Sequence, residues 1–293
     1  MTTARRGNMY FFIITLFMII GSVVVEFLPL EAKYNTVAIE FVFLLVPSLI
    51  ISKISGVTMK KTFRIKWLKF KDVLIILGIS ILSLILAGIM SNLSMQFFHN
   101  FLADATNAWG NMNLLQWICI LAITPAICEE AVMRGVVLSQ YKNVSCAKAA
   151  IMNGLLFGIF HMNFNQFFYA FVLGVVMAYL VIITGSILSS VLMHFTINGI
   201  SATSNWYIRK NSPVINVNEN IGMSIPNIIS MVVVGIIIAY LLKYIITYWA
   251  KRKNVDILTR SNTEEKVFDI WVILSMAIFV IFTIMIFMQA GRI

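Results

Sequence analysis

The chain has 293 residues, of which 60% are hydrophobic and only 12% charged, with a net charge of +10 and a mean hydropathy of +0.92. A soluble domain needs about 25% charged residues to cover its surface, so this balance excludes one and indicates an all-α, polytopic transmembrane helix bundle. Three cysteines (Cys119, Cys128 and Cys146) are too few for a disulfide scaffold, and most of the positive charge flanks apolar spans, where membrane orientation accounts for it without nucleic acid.

Stretches of about 18 residues or more that are nearly free of charge fall at 9–29, 36–52, 72–91, 113–140, 147–164, 166–184, 186–206, 227–249 and 268–290. They predict eight or nine spans in a single integral membrane domain covering 1–293, with the candidate catalytic helices at 113–205. The first span runs through Val25 to Glu26 without a small-residue cleavage site and reads as a retained helix. Between the second and third spans, Lys53, Lys60, Lys61, Arg64, Lys66, Lys69 and Lys71 are offset only by Asp72, which makes this loop cytoplasmic. Threading from it puts Arg5, Arg6, Lys142, Lys148, Lys251, Arg252, Lys253, Arg260 and Lys266 on the same side and leaves Lys33, Arg209, Lys210 and Arg292 opposite. The expectation is a multi-pass protein of the cell membrane with a cytoplasmic N-terminus. Phe63, Trp67 and Phe70 in the basic loop allow an amphipathic helix on the anionic leaflet, and a loop that only fixes topology is the other reading. The external loops at 92–112 and 207–226 are Asn-rich.

An ionisable residue inside an apolar span costs roughly 2.5–3.5 kcal/mol on insertion scales, so such residues mark functional candidates. Glu40 and Lys243 are single residues that can reach an interface. The others cluster. The fourth span carries Cys128-Glu129-Glu130-Ala131-Val132-Met133-Arg134. Glu130 and Arg134 are four apart and share a helix face, where they can pair. Glu129 points about 100° away, lacks a local partner, and is the better general-base candidate; a purely structural role for both glutamates is the alternative.

Two of the three histidines lie in spans: His161, within Phe157-Gly158-Ile159-Phe160-His161, and His194, within His194-Phe195-Thr196-Ile197-Asn198. His99 lies in an external loop and has no assigned role. His194 and Asn198 are four apart, so two donors can converge on one oxygen. At 1.5 Å per residue, Glu129, His161 and His194 lie about 20, 20 and 14 Å from the cytoplasmic ends of their helices, near the middle of a hydrocarbon core of about 30 Å. Gly154 and Gly158 form a small-xxx-small step that lets the His161 helix approach a neighbour.

Glu129-Glu130-x-x-x-Arg134, Phe157-x-x-x-His161 and His194-x-x-x-Asn198, in this order, resemble the three-part signature of the CPBP intramembrane proteases, the group of type II CAAX prenyl endopeptidases and bacteriocin-processing enzymes. The resemblance covers roughly 113–205. It implies an intramembrane endopeptidase acting on a membrane-associated peptide or protein, with Glu129 and His161 activating water, His194 and Asn198 stabilising the oxyanion, Glu130 and Arg134 supporting the first motif, and no metal or other cofactor. Two histidines and a glutamate could also hold zinc with an open position, and spacing alone does not separate the two routes. A proton-coupled transporter and a non-catalytic immunity protein are the competing functions. The cavity is expected to open toward the cytoplasm, beside Gly135 and Val137.

Overall fold

In the computed structural model, residues 1–55, 58–109, 112–211, 223–257 and 265–289 are described; Arg260 and Arg292 lie outside them. The described residues form helices and no strand. In chain order these are α1 (Thr3–Val25), α2 (Ala32–Ile54), the short α3 (Met59–Phe63), α4 (Phe70–Ser94), α5 (Phe101–Ala108), α6 (Leu114–Gln140), α7 (Cys146–Phe160), α8 (Phe164–Thr184), α9 (Leu188–Asn211), α10 (Ile225–Arg252) and α11 (Ile270–Gln289). Among the described residues, seven are long and apolar enough to cross a membrane: α1, α2, α4, α6, α8, α10 and α11.

Every predicted span therefore has a helix, and the two that fall short are informative. Helix α7 has 15 residues, about 22 Å at 1.5 Å per residue, less than a hydrocarbon core of about 30 Å. It stops where the His161 N–H turns back to Gly158 O, Met162 takes a left-handed φ of 54°, and the Asn163 side chain caps α8 by accepting from the Gln166 N–H at 2.9 Å. This turn meets the obligation to satisfy free backbone groups at helix ends. Helix α9 is long enough but too polar, because Ser189, Ser190, His194, Thr196, Asn198, Ser201 and Thr203 interrupt its apolar residues.

The helix ends sort into two faces. On one, Lys253 Nζ pairs with Asp72 at 2.7 Å, Ser186 Oγ donates to Lys66 O at 2.6 Å, and Glu265 accepts from the Ala4 N–H at 2.7 Å and Asn143 Nδ2 at 2.9 Å. On the other, Arg209 donates to Thr106 Oγ1 at 2.8 Å and lies over the Trp117 ring, while His99 pairs with Asp104. The predicted basic loop lies on the first face. Among its described residues it holds only α3, ended by Arg64 in a left-handed φ of 46°, and then a segment without regular structure to Lys69. One amphipathic helix over 53–71 does not form; Trp67 and Phe70 project from that segment and its junction with α4.

The core is built where small residues allow close approach. A Cβ at Gly154 would stand 2.7 Å from Phe171 O and 2.9 Å from Val175 N on α8, and one at Gly158 2.9 Å from Phe167 O. The predicted small-xxx-small step is thus the α7–α8 seam. Gly174 faces Gly154 across it.

Candidate active site

Helix α6 is distorted at two places that shape the site. Its segments Cys119–Ile123 and Ala131–Val137 are π-helical, as is Ile39–Leu45 in α2, and such bulges recur at functional sites because they free or re-aim backbone groups. Pro125 has no N–H to return to the carbonyl four residues earlier, that of Leu121. Asn198 Nδ2 donates to this oxygen at 3.0 Å, which locks α9 to α6 beside the cavity and leaves the second Nδ2 hydrogen free.

Arg134 and Glu130 are both fully buried, with Arg134 Nη1 donating to Glu130 Oε1 at 2.8 Å. The guanidinium does not clamp the carboxylate with both arms: Nη2 donates to Gly174 O at 3.1 Å, and the plane lies 4.5 Å from the Phe157 ring centroid. One arginine therefore fastens the Glu130 turn to the α7–α8 seam. His194 Nδ1 meets the same Glu130 oxygen at 2.9 Å, and its Nε2 is 3.9 Å from Glu129 Oε2. Glu130 Oε1 thus contacts both Arg134 and His194, and Glu129 lines the cavity.

His161 closes the arrangement from the end of α7. Its Nδ1 is 2.8 Å from Phe157 O. A carbonyl can only accept, so this nitrogen carries hydrogen and, in the neutral ring, Nε2 is left as an acceptor. The Phe157 ring stands edge-on between the two histidines, 4.9 Å from the His161 ring and 5.9 Å from His194.

A cavity of about 430 Å³ is lined by Glu129, His161, His194 and Asn198. Glu130 and Arg134 lie behind it. Leu84, Leu102, Ile120, Leu173 and Ile197 make its walls apolar, while Glu40, Gln166 and Tyr169 add polar groups. The sequence leaves Glu40 able to reach an interface, whereas in the fold it is 8% exposed and lines the cavity. The available signal was its isolation as the one charged residue in 36–52. Lys243, by contrast, is exposed.

The direction of opening is also a correction. The cavity lining extends to Thr36, Ser91, Leu102 and Asn205, toward the weakly charged face, and stops at Leu84 on α4, Glu129 on α6, Met177 on α8 and His194 on α9, short of the helix ends on the basic face. The basic side is plugged. Phe63 fills the space beside Gly135, Arg64 Nη2 donates to Arg134 O at 3.0 Å, and Val137 is fully buried. Among the described residues, no group of three His, Cys, Asp or Glu side chains is arranged to hold a metal ion.

Residues 111–200 match the family model described as Rce1-like, type II CAAX prenyl endopeptidase Rce1-like. The match covers the segment that holds all three motifs and is consistent with the CPBP family. Comparison with curated proteins and with solved structures gave no match.

Proposed function

We propose that the protein is an intramembrane endopeptidase that hydrolyses a peptide bond in a membrane-associated peptide or protein entering the cavity from the weakly charged face. The observation that carries this reading is the meeting of Glu129, His161, His194 and Asn198, from three helices, on one cavity with apolar walls. In the proposed reaction Glu129 takes a proton from a water molecule, with His161 Nε2 as the second acceptor that orients it, and the oxygen attacks the peptide carbonyl. The developing oxyanion is met by the free Nδ2 hydrogen of Asn198 and by His194 Nε2. Because His194 Nδ1 already meets Glu130, donation from Nε2 as well requires both ring nitrogens to carry hydrogen. The proton then passes to the departing amine. Glu130 and Arg134 hold this frame and take no proton.

The metal-free assignment is part of the proposal and follows the resemblance carried by the three motifs. The cell membrane, a cytoplasmic N-terminus and 1–293 as one domain complete the reading, with the basic face inside.

The test is cleavage of quenched fluorescent peptides in detergent, one ending in a prenylated cysteine motif and others carrying unmodified apolar helices. Wild type should cleave at least one of them. Glu129→Gln and His161→Ala, expressed at wild-type levels, should each lose about 10²–10⁴-fold, the span typical of general acid–base groups. Most of the activity surviving in both variants would overturn the site.

A further inference from the structure

We propose that Glu40 is a positioning residue for this site, holding the Glu129 carboxyl from the facing wall of the cavity through a shared proton. The inference rests on the proposed role of Glu129. Glu40 comes from α2, outside the 111–200 segment that matches the family model. It is 8% exposed within an apolar run, and a carboxyl is kept in such a place only at a cost. Its side chain lies within hydrogen-bonding reach of Glu129. The Oε2 atoms of both residues are buried without a protein hydrogen-bond partner, and both side chains line the same cavity. Ionised carboxylates only accept, so a hydrogen bond between the two needs a proton on one of them. When Glu40 carries that proton, Glu129 remains a carboxylate with one oxygen fixed and the other directed at water.

The local backbone fits this use. Glu40 lies in the first turn of the π-helical segment Ile39–Leu45 of α2, and α2 packs on α6 next to Glu129. The other titratable groups around the pair are Cys128, Glu130 and Arg134 of α6, His194 of α9, His161 at the end of α7, and Tyr169 of α8. Arg134 of α6, which carries a permanent charge, stands on the Glu129 side of the pair, so we assign the shared proton to Glu40.

The test compares Glu40→Gln, which keeps an N–H donor, with Glu40→Leu, which keeps none, on the peptide that wild type cleaves. Glu40→Leu should lose kcat on the order of 100-fold, the scale of a misplaced reacting group, with KM little changed and an unaltered melting temperature. Glu40→Gln should recover roughly tenfold of that loss, with a pH profile of kcat displaced from wild type because the shared proton is gone. Wild-type kcat in Glu40→Leu would overturn the proposal, as would equal losses in both variants accompanied by a lower melting temperature. Glu129→Gln, run in parallel, separates the two readings. If it is inactive while Glu40→Leu is fully active, only the role of Glu40 falls; if it is fully active, the proposed function fails and this inference with it.

Discussion

At the scale of single residues, Arg134 is the side chain whose placement decides most. It divides its two arms between Glu130 Oε1 and Gly174 O and stacks on Phe157, a geometry that the point charge of lysine does not reproduce. Arg134→Lys is therefore expected to lose most of the activity while the protein still inserts. Arg134→Ala removes one partner of a buried pair, which costs about 3–5 kcal/mol, and a Glu130→Gln change added to it should return part of that stability by removing the unpaired charge. Cleavage should stay low in the double variant, because Glu130 also holds His194 Nδ1. Thermal melts in detergent read the first effect and peptide turnover the second. A double variant no more stable than Arg134→Ala would show that Glu130 is not the partner that matters. The pairing itself was legible in the sequence, since Glu130 and Arg134 are one helical turn apart. The arm to Gly174 was not, because it crosses 40 residues of chain and depends on how closely α7 and α8 pack.

At the scale of elements, the α7–α8 seam sets the depth of His161. Gly154→Ala would press a methyl against backbone atoms at 2.7 and 2.9 Å, which cannot yield as a flexible side chain would. Overpacking of this kind costs about 1–3 kcal/mol, so the variant should melt lower and cleave more slowly, whereas Gly78→Ala, with open space around it, should not lower the melting temperature. Helix α1 is tied down on the basic face by Glu265. Partial burial works against its charge, but the hydrogen bonds from the Ala4 N–H, Asn143 and Thr3 outweigh it and hold this carboxyl below the ordinary range. A carboxyl with a lowered folded value stabilises the fold above its unfolded value, about 4.3, and the contribution disappears as pH falls through the folded one. The difference in melting temperature between wild type and Glu265→Gln should accordingly be largest near neutral pH and shrink below about pH 4; a difference that grows on acidification would contradict this. Hydropathy placed each apolar span on a helix but not the short α3 and α5, and it could not foresee that α7 would end at His161, because that stop is made by the left-handed Met162 and the Asn163 cap, which a hydropathy pattern does not register.

At the scale of the whole molecule, the basic segments meet on one face and the cavity belongs to the other. Charge counting anticipated the first and gave no information on the second, since the plug made by Phe63 and Arg64 is a tertiary contact across about 70 residues. In a cysteine-free background, a substituted cysteine at Ser201 or Asn205 should react with a membrane-impermeant thiol reagent applied from the side opposite the basic loops, and one at Val137 should resist reagent from either side. Labelling of Val137 alone from the basic side would show that the plug opens. Whether Glu129 and His161 activate a water molecule is decided by a single turnover in ¹⁸O-water with purified enzyme and a cleaved peptide. Water activation by Glu129 gives one ¹⁸O atom in the new C-terminal carboxyl of the first product, with the peptide containing Glu129 unlabelled. A first product free of ¹⁸O, together with label in Glu129, would instead mean that the glutamate attacks the carbonyl itself and would contradict the account.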